Sequence, residues 1–152
     1  MKKSILALVA ASLFLFSCGN GDNGANGDVV EITIEGDDNM QFNMNEIEVE
    51  AGQTVRLTLE HTGQMPVENM GHNWVLLDEG TDNSAFESAA MNAADNEYIP
   101  EDMYDDIIAY TDLIGGGETS TVEFEAPSPG TYDFLCSFPG HPAPMSGEFI
   151  VN

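Results

Sequence analysis

The sequence predicts an all-β domain, a two-sheet sandwich with a short helical flap, carried behind an N-terminal appendage. Apolar residues alternate with acids and threonines in a series of short segments, and turn residues separate those segments. One long stretch rich in helix formers interrupts them near the middle. Alternation of period two marks strands with one wet face, and several such strands at this spacing suit two packed sheets.

The chain opens with a targeting segment, residues 1–18, MKKSILALVAASLFLFSC. A basic start leads into an apolar run from Ile5 to Phe16, short for a bilayer span, and small Ser17 precedes Cys18. LFSC resembles a bacterial lipobox, in which the cysteine is lipidated and kept as the mature N-terminus. A plain cleaved signal peptide is the alternative. Acyl chains on Cys18 anchor a protein to a membrane without threading it through. Residues 19–28, GNGDNGANGD, read as a flexible tether with a root-mean-square span of about 17 Å.

Residues 29–152 form the domain. VEITIE alternates Val30, Ile32 and Ile34; EIEVEA places Ile47 and Val49; TVRLTLE places Val55, Leu57 and Leu59. MGHNWVLL, Met70 to Leu77, sets His72 just before an apolar strand that carries the only tryptophan, Trp74. The segment from Asp78 to Asp106 is too long for a hairpin turn, and its SAFESAAMNAAD predicts a short helical flap. STVEFEA, TYDFLC and GEFIV return to period two with Val122, Phe124, Tyr132, Phe134, Cys136, Phe149 and Val151. AGQ and PSPGT supply turns.

Charge restricts the partners. The full sequence holds 27 acids against three lysines and arginines. Removal of the first 18 residues leaves Arg56 as the one strong base against all 27 acids, a net charge of −26. Such a surface excludes nucleic acid as a partner and steers basic proteins towards it. Solubility in a salty medium is the plainer reading of the same charge, and the two are compatible.

The chemistry concentrates in CSFPGHPAPM, Cys136 to Met145. If Cys18 carries lipid, Cys136 has no disulfide partner, and an exported thiol persists only if buried or bound to metal. Cys136, His141 and Met145 follow C-x4-H-x3-M, and a sandwich can bring His72 to the same end from a distant strand. Two imidazoles, one thiolate and a weak axial thioether make the donor set of a blue-copper electron-transfer site. Zinc takes Cys and His but favours a harder or thiolate fourth donor, or water, over methionine. The thioether therefore points to copper. The competing reading makes Cys136 a small buried hydrophobe beside unrelated histidines.

GHNWVL, LIGGGE and FLCSFPGH, with Met145 downstream, MQFN at Met40 and His61 before the first ligand loop, resemble the azurins of the cupredoxin family. The resemblance runs from about Val29 to the end and implies a Greek-key β-sandwich holding one type 1 copper ion. It implies His72, Cys136 and His141 as principal ligands, Met145 as a long axial contact, and the Gly71 carbonyl as a weak axial contact opposite. Asn73 and Phe138 are then expected to hold the ligand loops and offer backbone N–H groups to the sulfur. It further implies that the His141 edge meets partners through an apolar patch, for which Met40, Met65, Met70, Met91, Phe138 and Pro144 are the candidates. Any one of these methionines also reads as core filler. His61 is either a buried, pH-linked histidine beside the copper loop or an ordinary strand-end residue.

The sequence departs from azurins at three points. Val30 and Gln53 stand where a disulfide is usual; Pro142 and Pro144 stiffen the ligand loop; and the lipobox and tether are closer to the membrane-bound auracyanins. The expectation is a monomeric, non-enzymatic one-electron carrier, lipid-anchored to the inner or outer membrane on the periplasmic side of a bacterial envelope. Its partners are expected to be transient redox proteins, such as c-type cytochromes or a terminal oxidase or reductase. Copper delivery or storage is the alternative. A multicopper enzyme needs further histidines, and only His61 is left over.

Overall fold

Eight strands account for the alternating segments in a computed structural model that describes residues 29–152. The targeting segment, the tether and Cys18 lie outside the described residues. In chain order the strands are β1 (Val29–Gly36), β2 (Glu46–Val49), β3 (Thr54–His61), β4 (Val75–Leu77), β5 (Ile107–Tyr110), β6 (Thr119–Glu125), β7 (Gly130–Leu135) and β8 (Ser146–Val151). One sheet runs β1-β3-β6 and the other β2-β8-β7-β4-β5. β1 lies parallel to β3 and β2 parallel to β8, whereas the remaining pairs are antiparallel. This is the expected Greek-key sandwich.

The inward phase of each strand fills the space between the sheets. Ile34, Val55, Leu57, Leu59, Trp74, Leu76, Phe134 and Phe149 are fully buried there. The Trp74 ring packs within 5.8–6.3 Å of Phe124, Phe134 and Phe149, in the tilted and edge-on arrangements that aromatic pairs prefer. The outer face of the three-stranded sheet is wet, with Arg56 on β3 bridging Glu31 on β1 and Glu123 on β6.

The five-stranded sheet is covered on its outer face too, and the flap is the reason. Helix α2 (Asn83–Ala90) starts at Asp82, whose carboxylate accepts from the N–H groups of Ser84 and Ala85. Its Phe86 and Ala90, with Ile99, pack on Val75, Leu77 and Leu135. The helix is shorter than the helix-forming stretch, because beyond Ala90 the chain folds into 3₁₀ turns at Ala94–Asn96 and Glu101–Asp106. Two elements had no clear sequence signal. One is β5, a four-residue run without alternation, and the other is the four-residue helix α1 (Val67–Met70).

The connectivity gives the sandwich two distinct ends. At one, Val29 lies opposite Thr54, Ala51 N–H donates to the Asn152 carbonyl, and Gly52 N–H to the Ala126 carbonyl. At the other, Gly36 lies opposite His61, and here β7 runs into the Cys136–Met145 loop.

Candidate metal centre

Three donors converge at this second end. His72, Cys136 and His141 are all buried, and their ligand atoms lie within 4.8 Å of one another. His72 Nδ1 is 3.2 Å from His141 Nδ1, and Cys136 Sγ is 3.6 Å from His141 Nδ1. Bonds of about 2.0–2.3 Å to nitrogen and sulfur put ligand atoms around one ion roughly 3.5 Å apart, so the spacing suits a single metal. The Gly71 carbonyl is 3.0 Å from His72 Nδ1 and 3.9 Å from Cys136 Sγ. Met145 is fully buried in one cluster with Cys136 and Phe138.

His72 arrives from the segment before β4 and is oriented by its neighbours. Its Nε2 lies 2.9 Å from the Asp37 carbonyl. A carbonyl only accepts, so Nε2 donates to it, and Nδ1, beside His141 and the Gly71 carbonyl, is the ring nitrogen that faces the site. On one side the ring stacks against His61, at 4.2 Å and 18°. Gly36 gives it room, since a Cβ there would come within 2.8 Å of the ring and 3.2 Å of the Met145 methyl.

The remaining donors share one self-closing loop. Cys136 N–H donates to the Met145 carbonyl, Met145 N–H to the His141 carbonyl, and His141 N–H to the Phe138 carbonyl. Gly140, at φ +85°, supplies the left-handed turn before His141. Pro142 and Pro144 occupy positions where none of these bonds needs an N–H donor. Asn73 clamps the two ligand segments together: its Oδ1 accepts from Ser137 N–H at 2.8 Å and its Nδ2 donates to Ser137 Oγ at 2.8 Å.

Burial sets the protonation of the donors. Desolvation pushes the Cys136 thiol up to about 11, opposed by the peptide N–H groups of Asn73 and Phe138. Desolvation, then the neighbouring His72 and His61, holds His141 down at about 4. It lowers His72 as well, against the Asp37 carbonyl contact that favours the charged ring. Two neutral imidazoles are thus ready to bind, and a metal enters by displacing the thiol proton. One soft thiolate, two imidazoles and a packed thioether fit copper.

The other candidates fall into place around this cluster. His61 ends β3, is buried, donates from Nε2 to the Met70 carbonyl and accepts Gly63 N–H at Nδ1. Met40 packs against the Cys136–Phe138–Met145 cluster. Met91 is 58% exposed and Met65 37%; Pro144 is exposed, Met70 half-buried, and Phe138 buried. The His141 ring is only 2% exposed. Met91 also shares a cleft of about 250 Å³ with Pro139, Gly140, Pro142 and Ala143, directly beside the ligand loop. Sequence reasoning missed Gly36, Asp37 and Ser137. Asp37 acts through a main-chain carbonyl, so its side chain gives no clue; Gly36 acts by lacking a side chain, which carries no signal either.

Residues 28–152 match the model of the family described as "Copper binding proteins, plastocyanin/azurin family". The chain is 39% identical over 127 residues to the azurin of Alcaligenes faecalis, covering 80% of this chain and 98% of that one. It is 41% identical over 123 residues to outer membrane protein H.8 of Neisseria gonorrhoeae, covering 78% of this chain and 66% of that protein's length. Among solved structures, auracyanin A, a blue copper protein of Chloroflexus aurantiacus, superposes with a TM-score of 0.73 at 35% identity. That superposition covers 82% of this chain and 99% of the other.

Proposed function

The chain belongs to the plastocyanin/azurin family of copper-binding proteins, and from that premise we propose that it is a type 1 copper one-electron carrier tethered in the bacterial cell envelope. One observation carries this reading: His72 Nδ1, Cys136 Sγ and His141 Nδ1 converge within 4.8 Å inside a buried, hydrogen-bonded frame. His72, Cys136 and His141 would hold the ion, with Met145 and the Gly71 carbonyl as weaker donors beside them. When bound, copper supplies a Cu(II)/Cu(I) couple there.

The chain's own part is to keep its donors still. The Asp37 carbonyl fixes the His72 ring, Asn73 ties the two ligand segments together, and the peptide N–H groups of Asn73 and Phe138 favour the thiolate. A frame that does not rearrange between oxidation states costs little reorganisation on electron transfer. Met91, which shares the cleft beside the loop, and exposed Pro144 are the core of the contact patch we infer, which extends to Met65, Met70, Met40 and Phe138. A small apolar patch on an acidic monomer suits brief encounters with a basic redox protein, such as a c-type cytochrome or a terminal oxidase or reductase. In this reading the protein is an electron carrier and not an enzyme, a reading supported by its place in the plastocyanin/azurin family. A lipid on Cys18 and the tether of residues 19–28 hold it on the periplasmic side, a placement supported by its likeness to an outer membrane protein.

Titration of the purified protein with Cu(II), followed by visible absorption and electron spin resonance, tests the reading. One equivalent of copper, an intense blue thiolate band and a small parallel hyperfine splitting are expected. A chain that binds Cu(I) alone and surrenders it to chelators is instead a copper delivery or storage protein.

A further inference from the structure

Two consecutive flap residues, Glu97 (φ 54°) and Tyr98 (φ 62°), adopt the left-handed backbone conformation. A Cβ makes that region unfavourable, so something must hold them there. Tyr98 N–H donates to the Ala93 carbonyl at 2.9 Å, and the Glu97 carboxylate accepts Leu113 N–H at 3.0 Å. From this turn, two contacts reach the metal end. The Glu97 carbonyl accepts from Asn73 Nδ2 at 3.2 Å. The Tyr98 ring stands edge-on to Phe138, centroids 5.1 Å apart at 68°, and Phe138 lies 4.7 Å from the His141 ring.

Asn73 ties the His72 segment to Ser137, next to Cys136, and Phe138 packs in one cluster with Cys136 and Met145; the peptide N–H groups of both residues also favour the Cys136 thiolate. The flap therefore grips both, one through a main-chain carbonyl and the other through a ring. We propose that Glu97 and Tyr98 are positioning residues for the copper centre, their left-handed backbone holding Asn73 and Phe138 in place against the Cys136 loop. The inference rests on the copper reading above and extends the site into the flap. N–H groups aimed at the sulfur withdraw electron density from it, so loosening them stabilises the oxidised form and lowers the reduction potential.

Glu97→Val, whose branched side chain resists the left-handed region, and Tyr98→Ala, which removes the ring, test this. Amide hydrogen exchange is followed in the copper-free protein, and the midpoint potential and thiolate band in the loaded one. Exchange at Asn73 and Phe138 is expected to quicken about tenfold or more while Leu57 and Leu59 in β3 stay protected. The potential is expected to fall in both variants. Glu97→Gly, which adopts the left-handed conformation freely but loses the Leu113 contact, shifts both readouts less than Glu97→Val does. The proposal is overturned if both variants keep parental exchange and potential, or if exchange quickens equally across the sheets. It is also overturned if Glu97→Gly shifts the readouts as far as Glu97→Val does. A parent lacking the blue band sinks the copper reading alone, because the exchange measurement still decides the positioning role.

Discussion

Between the sheets, Ile34, Leu57, Leu59, Phe134 and Phe149 are buried by packing against one another. At the metal end His61, His72, Asn73, Ser137 and His141 are buried as deeply, yet every one carries polar atoms. The middle satisfies itself by volume, and many apolar sets of similar size fill such a space. The end satisfies itself by pairing, atom by atom, so that a single exchange leaves a buried donor or acceptor without a partner. The difference teaches that stability and function are written in different regions of this chain.

Substitutions should separate the two. The largest effect belongs to Cys136→Ser, which is expected to abolish the blue band altogether, measured by visible absorption after Cu(II) addition. Copper-free Tm should move less than in any core variant, because a hydroxyl there has the Gly71 carbonyl nearby. Leu57→Ala makes the reverse case: loss of a fully buried leucine should cost about 2–5 kcal/mol in urea unfolding while the folded protein keeps its colour. A bleached Leu57→Ala would mean that the middle and the end are not separable.

Gly36→Ala sits on the border. A methyl group 2.8 Å from the His72 ring should displace that ligand and weaken copper affinity about tenfold or more in a competition titration. Acid acts on the end alone. His141 is held at about 4 in the fold against 6.5 ordinarily, so between those values the unfolded chain binds the proton that the fold refuses. Copper-free stability should therefore be full above pH 6.5 and decline as the pH falls towards 4. Urea midpoints across that range, for the parent and for His141→Gln, check it: the decline should be shallower in the variant. The smallest effect is expected from Arg56→Gln, on the wet face of β3 and outside both regions, where exposed pairs with Glu31 and Glu123 are screened by solvent. Its Tm shift should be smaller than that of Leu57→Ala and Gly36→Ala.

The contrast also explains what was legible. Strand phase showed the middle, because burial on one face forces period two on Val55, Leu57 and Leu59. Leu135 breaks that period, and its reason, the flap on the outer face, lies far away in sequence. The ligands stood out because Cys136, His72 and His141 are scarce residue types in this chain. Asn73 was legible as a holder through the family resemblance, but the rest of the frame was hidden. Asp37 and Glu97 contribute main-chain carbonyls, and Gly36 contributes the absence of a side chain, none of which leaves a mark on residue type. Strand β5 was missed because IIAY is too short to show a period.

Strand β1 begins beside Thr54 and ends beside His61, so its eight residues, roughly 25 Å at the usual rise per residue, separate the entry of the chain from the copper loop. Asn152 returns to the entry side, next to Ala51. Both leads of the domain thus leave from one pole, with the loop at the other. A surface or electrode that grips the chain close to Val29, or a fusion close after Asn152, therefore holds the domain by the pole opposite the loop, like a plug whose cable leaves from the back.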